Sequence, residues 1–140
     1  MNDSETHIDI QLEGDNFYPS RLLEKSKLQL EILAEKGGIS KSGRYKGKIS
    51  PYGLALIPIP LERFEFDLNK ALGFYLQMLL QLRPSLDESG VENVTVSLDI
   101  PISLEKELSI NPIISRYLFE LDAKIQIHTY DESRRDLLVS

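Results

Sequence analysis

The segment "HIDIQLEGDNFYPSRLLEK", His7–Lys25, contains the patterns of a strand, a turn and a helix in succession. Over its first seven residues polar and apolar side chains alternate, which indicates a half-buried strand. The sequence Gly14-Asp15-Asn16 is typical of a turn. Pro19 then suits the first position of a helix, where a backbone N–H is not needed, and we expect this helix to reach about Lys25.

The residues that follow fit two structures. Apolar side chains alternate with others over 28–34, in the manner of a strand. The longer segment 20–36 is rich in Leu, Glu and Lys and ends in two glycines, as a helix with a glycine C-cap does. We favour a helix to Lys25 followed by a strand.

Three further strands are predicted. The run "YGLALIPIP", Tyr52–Pro60, is apolar and bounded by prolines, which predicts a strand covered on both faces whose pairing ends near Pro58. Residues 94–100 and 123–130 alternate between apolar and polar side chains, and each pattern predicts a half-buried strand.

Two longer helices are predicted in the second half of the chain. Residues 68–82 follow Asp67, a common N-cap, and stop at Arg83-Pro84. Asn111-Pro112 begins the other helix, which has apolar residues at helical spacing. The segment "PSLDESG" between them predicts a short turn or helix.

The Leu68–Leu82 helix carries apolar side chains over most of its surface, apart from one narrow polar stripe. Such a helix is nearly all buried. One domain encloses it, or its flank at Phe74 and Met78 contacts a partner or a second copy in a homodimer, and the sequence leaves these alternatives open.

These elements follow the order β-α-β-β-α-β-α-β. They predict an α+β fold in which a single, mostly antiparallel β-sheet has helices packed on one face. A chain of 140 residues with 41% hydrophobic content can bury one sizeable core. We therefore expect one domain over 1–130 and a C-terminal tail over 131–140.

Several features favour a cytoplasmic location. The chain contains no cysteine, which fits a reducing compartment. Its first nine residues, "MNDSETHID", are polar and acidic, unlike a secretory signal. The longest apolar stretch falls short of the ~20 residues that cross a membrane, so we expect no membrane association.

Four segments resemble a small bacterial family catalogued as domain of unknown function 4279. They are "EGDNFYPSRLL", "YGLALI", "LRPSLDESGVENVTVSLDI" and "LSINPIISRYLFELDAKIQIHTY", which together span most of Ile8–Tyr130. The resemblance rests on apolar spacing and helix-start prolines. It implies a compact α+β fold and brings no catalytic residues. Some bacterial proteins of this size and acidity serve as immunity proteins, which is an analogy.

Charge is distributed unevenly along the chain. Segment 36–48 contains five cations and no acid, although the formal net charge of the whole chain is −6. Segment 85–109 contains six acids and a single cation. We expect the six acids to form a surface that binds a basic protein partner: Asp87, Glu88, Glu92, Asp99, Glu105 and Glu107.

The basic segment 36–48 has the Gly-x4-Gly spacing of a phosphate-binding loop. However, Arg44 and Tyr45 replace the lysine and the hydroxyl residue, and no amphipathic helix follows. We interpret the segment as a hairpin whose four glycines supply positive-φ positions and whose cations keep an exposed edge soluble.

The alternative is a small-ligand or nucleic-acid-binding module that uses this basic hairpin. Cations beside a stacking ring are typical of single-strand binders. Nucleic acid is the less favoured partner because the rest of the chain is acidic. The candidate residues are Lys41, Arg44, Tyr45, Lys46 and Lys48.

His7 and His128 are the only histidines, so a histidine-based triad or metal site must use one of them. If the first and last strands pair, both lie near Asp9 and Gln126, although solvated strand positions explain these residues as well. No carboxylate pair lies in a recognisably apolar setting. We assign no catalytic residue, metal ligand or cofactor.

We therefore expect a non-enzymatic, protein-binding module, of the type of a bacterial immunity or accessory protein. Its partner would be a basic protein such as a nuclease toxin.

Overall fold

The computed structural model of the protein describes residues 6–41, 43–103 and 108–131. Short 3-10 turns at Gly43–Tyr45 and Leu61–Phe64 lie before and after the third strand. The strands and α-helices of the described residues follow in this order: β1 (His7–Gly14), α1 (Pro19–Lys25), β2 (Glu31–Ala34), β3 (Gly53–Pro58), α2 (Leu68–Gln81), α3 (Arg83–Ser89), β4 (Asn93–Pro101), α4 (Pro112–Leu121) and β5 (Lys124–Tyr130).

The five strands form one sheet in the order β2-β3-β1-β4-β5. β1 is the central strand and pairs antiparallel with both β3 and β4. β4 and β5 run parallel because α4 carries the chain back between them. The predicted sheet, mostly antiparallel, is confirmed.

The two edges of the sheet differ. β2 has four residues, and its pairing with β3 shifts register between Ile32 and Ala34. β5 has seven residues in regular register with β4, and Ile127 on this strand is 44% exposed. Only β5 therefore offers a long, regular edge.

Helices cover one face of the sheet, as predicted for this α+β fold. The alternating residues Ile8, Ile10 and Leu12 of β1 are buried in a core that includes Leu72 and Leu76 of α2. The polar residues of β1 lie on the opposite face, exposed or half-buried. We call this the open face. The structure shows that "PSLDESG" forms a helix, α3.

The prediction that β3 is covered on both faces is wrong. Ala55 and Ile57 are buried in the core, but Leu54 and Leu56 are only half-buried and Pro58 is exposed. The side chains of Leu54, Leu56 and Pro58 lie on the open face. The sequence of β3 did not indicate this. Its residues are apolar on both faces, so they lack the alternation of polar and apolar side chains that marks the open face in β1.

The ambiguity over residues 28–34 is resolved as we favoured. α1 ends at Lys25, and Glu31–Ala34 forms a strand. The side chain of Tyr18 does not cap α1. Instead, the amide of Ser20 donates to Oε1 of Glu35 at 2.8 Å. Glu35, the residue after β2, thus accepts a hydrogen bond from one of the free N–H groups at the start of α1.

The polar stripe of α2 contacts α4 in its first half. Nδ2 of Asn69 donates to the carbonyl of Ser109, and Oδ1 of Asn69 accepts from the amide of Asn111, both at 2.8 Å. Gly73 leaves room for the side chain of Ile114. Ala71, Leu72, Leu76 and Leu79 of α2 are buried, whereas Phe74 is 56% exposed. The homodimer through the Leu68–Leu82 helix stays a prediction.

Phe17 lies where the N-terminal turn meets three other segments. Its side chain is fully buried. Its carbonyl accepts from the amide of Lys36, and the amide of Tyr18 donates to the carbonyl of Ser89 at 2.9 Å. The turn after β1 is therefore held by Lys36, the second residue after β2, and by the end of α3.

Three glycines make this arrangement possible. Gly14 and Gly53 are paired across β1 and β3, and Gly90 follows α3 with a φ of 98°. A Cβ at Gly53 would overlap the carbonyl of Phe17, and one at Gly90 would overlap the carbonyl of Asn16. Each glycine thus admits backbone atoms where any side chain would collide. We call Gly14, Gly53, Gly90 and the enclosed Asn16–Phe17 the glycine cage.

No helix in the described part of the chain is both long enough and apolar enough to span a membrane. Residues 132–140, nearly all of the predicted tail, lie outside the described residues.

The glycine cage predicts opposite effects for two alanine substitutions. Gly53→Ala should lower the free energy of unfolding by about 3 kcal/mol or more, because the new methyl group meets backbone that cannot move aside. Gly73→Ala is the control, because its Cβ would make an ordinary 3.5 Å contact with Ile114 and alanine favours the helix by about 1 kcal/mol. Urea denaturation measures both, and a Gly53→Ala variant as stable as the wild type would contradict the cage.

Candidate functional site

The single acidic surface predicted from segment 85–109 is divided in the structure. Asp87, Glu88 and Glu92 are exposed around the end of α3 and the start of β4. Asp99 lies at the other end of β4, about 20 Å from Glu92 at ~3.3 Å per residue. The sequence did not indicate this separation. Residues that are close in the sequence lie at opposite ends of the sheet when an extended strand connects them.

Glu105 and Glu107, also predicted for that surface, lie outside the described residues.

Two acids that we did not predict join the first group. The amide of Glu92 donates to the carbonyl of Glu13 at 2.8 Å, and Oε1 of Glu92 accepts from the amide of Asp15 at 2.7 Å. These three residues line a hollow of about 240 Å³ together with Tyr52. Sequence reasoning missed Glu13 and Asp15 because only the pairing of β1 with β4 brings them to Glu92.

We call this group the acidic end of the protein. Within it, Glu88 forms an ion pair with Lys25 of α1. Both side chains are largely exposed, so the pair adds little stability but lowers the charge that Glu88 presents. The acidic end comprises Glu13, Asp15, Asp87, Glu88 and Glu92.

The basic segment folds back on itself, as predicted. Ile39 and Ile49 form an antiparallel bridge, and a 3-10 turn stands at the tip. Gly37, Gly43 and Gly47 have φ values of 81°, 73° and 79°, which confirms their predicted role; Gly38 does not share it.

The element that follows the hairpin differs from the one that follows a phosphate-binding loop. The next regular element is β3, a strand. A phosphate-binding loop requires the N-terminus of a helix directly after it.

The basic hairpin presents cations and apolar side chains together. Ile39 and Ile49 are 63% and 68% exposed. The guanidinium of Arg44 lies 5.9 Å from the ring centroid of Tyr45. The remaining candidate cations are exposed as well: Lys41, Lys46 and Lys48.

The acidic end and the basic hairpin meet at Tyr52. This residue lines the acidic hollow, and its ring makes an edge contact with Tyr45, with centroids 6.1 Å apart. The two surfaces that the sequence offered as alternatives are therefore neighbours.

The first and last strands do not pair, so the arrangement of histidines considered from the sequence is wrong. β4 lies between β1 and β5, and its Asp99 pairs with His7 on one side and His128 on the other. Asp9 and Gln126 lie in the next row, on either side of Ser97. Within the described ranges, no three metal-binding side chains are placed to hold an ion.

Asp9 is unusual among the acids of the open face. Its Oδ1 is buried and accepts no hydrogen bond from the described residues. Burial raises the pKa of the Asp9 carboxyl above its ordinary value of 3.8, and the negative charges of Asp99 and Glu31 raise this pKa further. The surroundings of Asp9 therefore disfavour the ionised form of its carboxyl.

Comparisons with known proteins give no relative from which to transfer a function. No protein-family model matches the chain, and no match was found among curated proteins or solved structures. The resemblance to the family of domain of unknown function 4279 stays a prediction. The function has to be inferred from the site itself.

The raised pKa of Asp9 predicts a pH-dependent gain of stability in Asp9→Asn. Because the folded-state pKa exceeds that of the unfolded chain, Asp9 favours folding below pH 3.8, and this contribution is lost as the pH rises through the folded-state pKa. Removing the charge should raise the melting temperature at pH 7.

The gain over the wild type should shrink as the pH falls toward 3.8, where the carboxyl is increasingly neutral in both states. Thermal unfolding across this pH range measures it, with the exposed Asp87→Asn as the control. A variant less stable than the wild type at pH 7 would contradict the assignment.

Proposed function

We propose that the protein is a non-enzymatic binding module that docks a basic protein partner at its acidic end. The observation that supports this proposal is the convergence of Glu13, Asp15 and Glu92 on one hollow, beside the exposed end of α3. A backbone hydrogen bond joins Glu92 to Glu13, and the side chain of Glu92 accepts from the amide of Asp15, so the three charges act as one patch.

The shape of the hollow supports a protein partner over a small substrate. Its volume of about 240 Å³ is below the ~300–1,000 Å³ typical of sites that enclose small molecules. A shallow, acidic hollow suits a lysine or arginine that projects from a partner's surface. It offers no apolar enclosure in which a catalytic group could act.

The charge of the patch suits a partner that itself binds nucleic acid. Such a protein carries a cationic surface, and a compact acidic surface attracts it over distances of about 10 Å at moderate ionic strength. Covering a nuclease in this way is how a bacterial immunity protein of this size would act, and we include that role in the proposal.

The basic hairpin supports a second candidate function, the binding of a small anionic ligand or nucleic acid. Its exposed cations flank Tyr45, whose ring could stack on a base. The acidic end ranks first because its charges lie next to the hairpin, through Tyr52, and repel phosphates there.

Charge reversal at the acidic end should slow association with a basic protein partner. We expect Glu13→Lys/Asp87→Lys to lower the association rate constant at least about tenfold at low ionic strength, because both side chains are exposed and steer the encounter. Stopped-flow kinetics measure the rate, and added salt should reduce the difference.

The matched control is Glu62→Lys/Asp99→Lys, which changes the net charge equally at the opposite end of β1 and β4. Equal slowing by both variants would show that overall charge, and no particular surface, steers the partner. Loss of binding in Lys46→Glu/Lys48→Glu, with the acidic variant unaffected, would favour the basic hairpin.

A further inference from the structure

A second cavity lies at the opposite end of β1 from the acidic end. Its volume is about 520 Å³, within the range of small-molecule sites. It is bounded by the start of β1, the end of β3 and the 3-10 turn after β3. About 13 Å of strand separates Asp9, which lines this cavity, from Glu13, and the cavity and the acidic hollow have no lining residue in common.

The cavity combines an apolar wall with acidic groups. Pro58, Ile59 and Leu61 contribute the wall. Asp9 and Glu62 bring carboxyl groups. No lysine or arginine is present among the described residues that line it. A negative, partly apolar cavity excludes anions and suits a ligand with a positive group on a hydrocarbon chain.

Asp9 is a partly buried carboxyl of the cavity. Its Oδ1 is buried and has no hydrogen-bond partner among the described residues, and the burial of the carboxyl and the charges of Asp99 and Glu31 raise its pKa. A cation bound in the cavity that Asp9 lines would compensate the negative charge of this carboxyl.

Phe66 lines the cavity in a strained conformation. It and Glu65 are consecutive residues with φ of 59° and 57°, a left-handed region that bulky side chains rarely adopt. The amide of Phe66 donates to the carbonyl of Leu61 at 2.9 Å, which holds the turn. The ring is 43% exposed, so it is available to a ligand, and an aromatic ring attracts cations through its face.

We propose that this cavity binds an alkyl chain that ends in a guanidinium or ammonium group, with the carboxyl of Asp9 as the compensating charge and Phe66 as the aromatic wall. The hydrocarbon part lies against Pro58, Ile59 and Leu61. A metal ion does not fit, because within the described ranges no three metal-binding side chains converge. The ligand is a free amine such as agmatine or the side chain of an arginine in a protein.

The proposal is tested by amide-resolved NMR titration with agmatine and with N-acetyl-arginine methylamide, a capped arginine. At least one should bind with a Kd of about 1 mM or tighter and shift the amides of Ile8, Asp9 and Phe66. Binding of agmatine alone would indicate that the ligand is a free amine. Binding of the capped arginine, with or without binding of agmatine, would indicate an arginine side chain of a protein. Uncharged n-pentanol should not bind.

Two variants separate binding from folding. Asp9→Asn should weaken binding at least about tenfold while it raises the melting temperature at pH 7. Phe66→Asn should also weaken binding and raise stability, because asparagine tolerates positive φ. Asp87→Asn, at the acidic end, should bind as the wild type does.

Three results would overturn the proposal. They are the absence of saturable shifts with either cation at about 20 mM, equal binding of n-pentanol, and unchanged affinity in Asp9→Asn. Each leaves the docking of a basic protein at the acidic end unaffected, since that proposal rests on other residues.

Discussion

The close approach of the Asn16–Phe17 backbone to Gly53 and Gly90, and of the Gly90 carbonyl to Gly14, is the constraint on which the fold depends. Gly14, Gly53 and Gly90 come from β1, β3 and the turn before β4. Their missing side chains allow the turn after β1 to close over the end of the sheet. This closure buries the ring of Phe17 and orders the start of α1. Without it, the turn after β1 would lose its hydrogen bonds to Ser89 at the end of α3 and to Lys36.

The same closure forms the surface on which the proposed function rests. The turn that carries Phe17 also carries Asp15, and the turn at Gly90 leads directly to Glu92. Tyr52, immediately before Gly53, links the resulting acidic end to the basic hairpin. The charged surfaces therefore meet at one end of the molecule because the backbone packing brings their segments together there.

Much of the fold follows from local patterns in the sequence. Alternation over His7–Glu13 and 94–100 predicted two strands correctly, and Pro19, Asp67 and Pro112 marked helix starts. The pairing order was beyond these patterns, because it depends on contacts between distant residues. For this reason the acidic residues were grouped by their order along the chain, and Glu13, Asp15 and the cavity beside Asp9 were missed. The orphan acceptor of Asp9 is visible only once burial is known.

The unequal edges of the sheet determine how copies of the protein can polymerise. A strand from another molecule would find a long, regular partner in β5, where Ile127 is exposed. Two copies joined through β5 would leave β2 at both outer edges, where four residues and a register shift offer a poor template. Addition of a third copy would therefore be disfavoured.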